Sequence, residues 1–223
     1  MKNKESIYAV ITGDVVDSSK VDRAYRDLLI DTLKEAFSLA GTLTRKKNCS
    51  VSFDIYRGDS FQGVITDPSF ALLTSLVIRS SLRKAQPESS TISWDARTAI
   101  GVGPIDYLPD EVSEGDGEAY RRSGPLLDKM KTEQRLIVNT PWDEVNKELS
   151  VQSALLDAII AKWSPNQAEI VLELIEGKSR KTIGREFGIS QAAVHYRVKG
   201  AGWHAVKKFL DRYQFIIRKQ LKT

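Results

Sequence analysis

"IYRGDSFQGVI", residues 55–65, decides how the first half of this chain folds. Apolar residues alternate into Gly58-Asp59 and resume at Phe61, Val64 and Ile65. Gly-Asp between two β-like runs signals a two-residue hairpin. Two consecutive strands are then antiparallel neighbours, which a regular strand–helix alternation does not produce.

On the N-terminal side, Val51, Phe53 and Ile55 share one face of the incoming strand, about residues 50–57. Before it, Leu28, Leu29, Thr32, Leu33, Ala36, Phe37 and Ala40 recur at helical spacing, so residues 21–43 read as an amphipathic helix. Ile7, Ala9, Val10 and Ile11 mark a buried strand over 6–13. On the C-terminal side, Asp67-Pro68 opens a helix to about residue 85, and "ISWDARTAIGVG", 92–103, is a strand. An acidic Gly/Pro-containing loop, 104–117, leads to a helix over 118–131 that carries Pro125, predicting a kink or a late start. "RLIVN", 135–139, is a short strand. The order β-α-β-β-α-β, then α-β, predicts an α+β fold: a ferredoxin-like antiparallel sheet with helices on one face.

Thr140-Pro141 starts a helix, and everything after it reads as helical. The expected division is an α+β domain over 1–150 and an all-α helix-turn-helix domain over 151–223. Charge divides the same way: residues 151–223 hold 13 Lys and Arg against 6 Asp and Glu, net +7, whereas 1–150 hold 20 against 23, net −3. A basic tail on an acidic body suits a polyanionic partner or, more plainly, a basic surface. The single Cys49 and two histidines rule out an internal disulfide and a Cys- or His-rich metal site, leaving carboxylates as ligands for Mg²⁺ or Mn²⁺. No run reaches the roughly 18–20 apolar residues that span a bilayer, and the N-terminus meets an acid too soon for a signal peptide, so no membrane partner and a cytoplasmic location are expected.

The tail carries the clearest motif. Ser164-Pro165 caps and opens a helix ending at Gly177; a short helix covers 179–187; Gly188-Ile189 is a tight turn; Ser190 caps a third helix to about Gly200. Ile183, Phe187, Ile189, Val194 and Val198 face inward, leaving Gln191, Ala192, His195, Tyr196 and Lys199 on the face a recognition helix turns to base edges. Lys178, Arg180, Lys181, Arg185 and Arg197 suit phosphates. The expected DNA-contacting set is Lys181, Arg185, Ser190, Gln191, Ala192, His195, Tyr196, Arg197 and Lys199. "SRKTIGREFGISQAAVHYRVKGA", 179–201, resembles the helix-turn-helix of sigma-factor region 4 and of LuxR-type regulators. A plain helical bundle for protein contact is the other reading.

Asp14 closes the first strand and Asp59 lies at the hairpin tip, so a ferredoxin-like sheet brings both carboxylates to one edge. Facing carboxylates repel unless a cation lies between them. Singly, Gly58-Asp59 is also an ordinary turn, Asp14 with Ser18 and Ser19 an ordinary helix cap, and Asp17 a helix cap more readily than a third ligand. Four segments in order, "VITGDVVDSS", "YRGDSFQGVI", "ARTAIGVGP" and "GEAYRRSGPLLDKM", resemble class III nucleotidyl cyclase catalytic domains. The pairing of such a domain with a helix-turn-helix resembles the SatD family. The cyclase resemblance implies that Asp14 and Asp59 bind a metal, Mg²⁺ or Mn²⁺. Where cyclases place an Asn and an Arg, this chain has Arg121 and Pro125, and Ile55 replaces the base-selecting lysine, which argues against conventional cyclisation. A shifted register gives Arg121 or Arg122 the phosphates of a nucleotide. The expected function is a DNA-binding transcriptional regulator that senses a nucleotide or metal and dimerises through its cyclase-like domain. The alternative is an active metal-dependent cyclase or nucleotidyltransferase with a helix-turn-helix targeting module. Trp94 and Trp203 are expected in the core.

Overall fold

The computed structural model describes residues 6–56 and 58–222. Five strands, β1 (Ile7–Val15), β2 (Val51–Tyr56), β3 (Ser60–Ile65), β4 (Ala96–Pro104) and β5 (Leu136–Asn139), form one sheet in the order β2-β3-β1-β4-β5. The first four are antiparallel and in ferredoxin-like order; β5 adds parallel to β4. The hairpin lies where the sequence puts it, but Tyr56 pairs with Ser60, so three positions, 57 to 59, separate β2 from β3 rather than two.

Three helices belong to this part: α1 (Arg26–Arg45), α2 (Ala71–Ala85) and α3 (Glu118–Asp128). They do not share a face. Ala9, Ile11, Ile65 and Ile100 pack with Leu29, Leu33 and Leu76 of α1 and α2. The alternate residues Val10 and Val64 pack with Ala119 and Tyr120 of α3 on the opposite face, and Ala99 packs with Leu127. Gly101 is the reason α3 fits there: a Cβ on it would fall 2.1 Å from the Ala119 carbonyl oxygen. Beside it, the Thr12 and Ser123 hydroxyls hydrogen-bond at 2.9 Å, so the contact between sheet and helix is partly polar. α1 begins later than its apolar spacing suggests, because Asp22 caps a separate short turn at Arg23–Tyr25 by accepting from the Ala24 N–H.

The rest is helical: α4 (Asp143–Ile160), α5 (Pro165–Ile175), α6 (Arg180–Glu186), α7 (Gln191–Gly200) and α8 (Trp203–Lys222). Residue 150, the expected division, falls inside α4. Leu149, Leu156, Val171, Leu172, Tyr213 and Ile217 belong to the same apolar cluster as α1, α2 and the sheet. α8 returns to the sheet body, where the Tyr213 hydroxyl donates to the Pro68 carbonyl at 3.1 Å and Arg218 lies over the Phe70 ring, 5.4 Å from its centre.

A buried ionic cluster locks the same junction. Arg79 of α2 donates to Asp95 through Nε and Nη2, at 2.8 and 3.0 Å, and to Asp157 of α4 through Nη1 at 2.5 Å. Arg83 reaches Asp95 at 3.3 Å. The other Asp157 oxygen accepts the backbone N–H groups of Arg135 and Leu136 at 2.8 and 3.1 Å, tying α4 to the start of β5. Burial works against charge on Arg79, but Asp95 and Asp157 more than offset it and hold its guanidinium above its ordinary value. Trp94 is in the core, as expected, while Trp203 is half-buried against the α6–α7 side chains. Among the described residues no helix is long and apolar enough to cross a membrane.

Candidate nucleic-acid interface

Each of the three helices α5, α6 and α7 starts on a serine. The Ser164 hydroxyl accepts from the Gln167 N–H while the Gln167 side chain accepts from the Ser164 N–H, a reciprocal capping box. Ser179 accepts from Thr182 and Ser190 from Ala193, both at 3.1 Å. Gly188, at φ 63, makes the left-handed turn between α6 and α7 that a side chain would strain. Ile170, Ile183, Val194 and Val198 close a small core, with Leu174, Phe187, Ile189 and Trp203 packed on it. The inward residues read from the sequence are therefore the ones that hold the three helices together.

Once Val194 and Val198 point inward, the rest of α7 is fixed by its 3.6-residue period. Gln191, Ala192, His195, Tyr196 and Lys199 are all exposed, Tyr196 at 70%. Lys181 and Arg185 are exposed on α6, and Arg197 is half-buried. Ser190 is exposed too, but its oxygen caps α7. The Lys178 ammonium is committed to Glu173 and Glu186, and those hydrogen bonds hold it protonated well above its ordinary range. It is thus removed from the phosphate-contacting residues read from the sequence.

Beside α7 lies a groove of about 590 Å³, lined by Arg180, His195 and Lys199 and, from the start of α8, by His204 and Lys207. No acidic side chain lines it. His204 and Lys207 were missed because the sequence motif stops at the end of the third helix; the signal available was the basic cluster "HAVKK", 204–208.

The acidic corner has a different character. Asp14 is the penultimate residue of β1, directly opposite Arg97 of β4. Arg97 Nε donates to one Asp14 oxygen at 2.8 Å and Nη2 to the other. Asp59 is in the β2–β3 turn, and the Gly13–Phe61 pairing brings that turn beside the end of β1. The two aspartates thus share a corner, but the positive charge at Asp14 is Arg97. Among the described residues no group of three or more Asp, Glu, His or Cys side chains is arranged to hold a metal ion. A divalent ion at Asp14 has to displace a two-pronged guanidinium contact. Asp17, instead of capping a helix, pairs with Lys20 at 2.8 Å, and that hydrogen bond lowers its carboxyl pKa.

Arg121 and Arg122 do not face that corner. Arg121 pairs with Asp106 and Asp116, pinning the loop before α3. Arg122 donates to Asn139, to the Thr140 carbonyl and to Glu118, at the end of β5. Asn139 stands opposite Gly101, four residues along β4 from Arg97, or roughly 13 Å at strand rise.

No family model matches the chain, and no curated protein matches it. Among solved structures, a chain described as a bacterial light-regulated adenylyl cyclase is similar at 14% identity and TM-score 0.42, covering 67% of this chain and 82% of that one. A second structure of the same description gives 14% identity and TM-score 0.40 over 62% of this chain and 44% of that one.

Proposed function

We propose that this chain is a DNA-binding protein of the transcription-regulator type, with α7 as the recognition helix in the major groove. The observation that carries the reading is the outer face of α7. Five side chains of base-reading and phosphate-binding chemistry are exposed there, on a three-helix unit closed by its own core and by three serine caps. Lys181 and Arg185 on α6 contact phosphates and set the register, without reading sequence. The sheet body holds this reader in place.

The test is the salt dependence of binding to duplex DNA, read by fluorescence anisotropy. Phosphate contacts make log affinity fall linearly with log salt, and loss of Arg185 or Lys199 to alanine reduces the slope by about 1 each. Gln191→Ala, which removes a base-edge contact, changes sequence preference instead and costs about 1–3 kcal/mol at one position. No binding, binding with no salt slope, or a slope indifferent to both Arg185→Ala and Lys199→Ala overturns the proposal.

A metal enters this reading at the Asp14–Asp59 corner alone, as Mg²⁺ or Mn²⁺ competing with Arg97; a nucleotide bound there needs Arg121 or Arg122 to leave its present partners. Arg97→Ala frees Asp14 and is expected to raise Mn²⁺ affinity in calorimetry. No Mn²⁺ binding by either protein removes the metal from the proposal and the enzyme alternative with it, and leaves DNA binding standing.

A further inference from the structure

We infer that α4 is a self-pairing surface: two copies of this chain associate through antiparallel α4 helices related by a two-fold axis. The core side of α4 is Val145, Leu149, Leu156, Asp157 and Ile160. Its outer side carries a seam at alternating four- and three-residue steps, Glu144, Glu148, Val151, Leu155 and Ala158, which Lys162 extends in the turn just past the helix end at Ile160. That is the spacing at which two helices interlock side chains. Its middle is apolar and open to solvent, with Val151 64% and Leu155 62% exposed. An apolar groove continues the patch onto α8, lined by Leu155, Leu156, Ile159, Ala205, Val206 and Phe209.

Charge identifies the occupant as a second copy. The seam carries an acid at one end, Glu144, and a base at the other, Lys162; Glu148 is already held by Arg212 of α8, at 2.9 and 3.2 Å. Parallel pairing sets like charges together. Antiparallel pairing with Val151 against the partner's Leu155 puts Glu144 against the partner's Lys162 and Glu148 against the partner's Ala158. One register satisfies the apolar and the charged positions together. A two-fold interface requires this self-complementarity. Glu144 now makes only an exposed pair with Lys147 on its own helix, and Lys162 is exposed, so both are available. This surface lies on the helical part of the chain, not on the sheet to which the sequence assigned dimerisation, and it does not depend on the DNA reading.

Sedimentation of the full chain at micromolar concentrations is expected to show a monomer–dimer equilibrium. Leu155→Glu is expected to weaken it about tenfold or more, with an unchanged circular dichroism melt as the check on folding. Glu144→Lys and Lys162→Glu are each expected to weaken it about fivefold, and the double reversal to restore it. A monomer at all concentrations, or a dimer that survives Leu155→Glu in a folded protein, overturns the proposal. A dimer weakened by Leu155→Glu but not rescued by the double reversal overturns the antiparallel register.

Discussion

Asp157 holds three donors with one carboxylate: the Arg79 guanidinium and two backbone N–H groups at the start of β5. Asp157→Ala leaves a fully buried guanidinium short of a counter-charge, and one buried and one part-buried amide without their acceptor. Breaking a buried pair from one side costs about 3–5 kcal/mol, set against a total stability of about 5–15 kcal/mol for a native protein. The expected outcome is a large fall in the urea midpoint, with refolding only at low denaturant. Asp95 gives the cluster its acid limit. Burial alone raises its pKa, but the Arg79 and Arg83 charges and hydrogen bonds outweigh burial and leave it lowered. A lowered carboxyl stabilises the fold above the ordinary carboxyl range, and that contribution is lost as pH falls through the folded value. The urea midpoint is therefore expected to hold from about pH 7 to 5 and to drop below about pH 4, with a shallower drop in Asp95→Asn.

At the scale of elements, α3 depends on the absence of a side chain at Gly101. Gly101→Ala pushes the Ala119 carbonyl away and separates helix from sheet; overpacking of this kind costs about 1–3 kcal/mol or more. Hydrogen exchange is expected to rise in α3 and leave α1 and α2 protected. Much at this scale was legible from the residues. Period-two runs gave the strands, Gly58-Asp59 the hairpin, and Ser164, Ser179 and Ser190 the starts of the tail helices. These signals are local, carried by neighbours within a few positions. What escaped the reading was non-local. The face of the sheet taken by α3 depends on a fit at Gly101 that appears only once helix and strand meet. Pro125 did not delay α3, which starts at Glu118, but it ends at Asp128 rather than 131. Topology sets the turn that carries Asp59 beside the end of β1; the cation at Asp14, Arg97, was not read, because only the β1–β4 register sets Arg97 opposite Asp14. Arg79 was not singled out from the sequence, because its partners lie 16 and 78 positions away.

For the whole molecule, the shared core carries the main consequence. Tyr213, Ile217 and Leu172 bury themselves against α2 and the residues before it, and Asp157 finds its guanidinium there. The excised segment 151–223 is therefore expected not to fold by itself, although α5, α6 and α7 have a small core of their own. Its circular dichroism melt is expected to be broad, against a single cooperative transition for the full chain. A sharp, independent melt of the segment contradicts the shared core.

Because α2 and α5 are packed into one body and α8 is tied back to Pro68 and Phe70, α7 has no hinge of its own. Each 25.0 kDa chain is expected to move as one body, with amide relaxation in α7 reporting the same correlation time as that in β1. In the proposed dimer, two such bodies hold their α7 helices at a fixed angle. On the proposed DNA reading, the spacing between the two contacted stretches of duplex then follows from the rigid body and not from a tether.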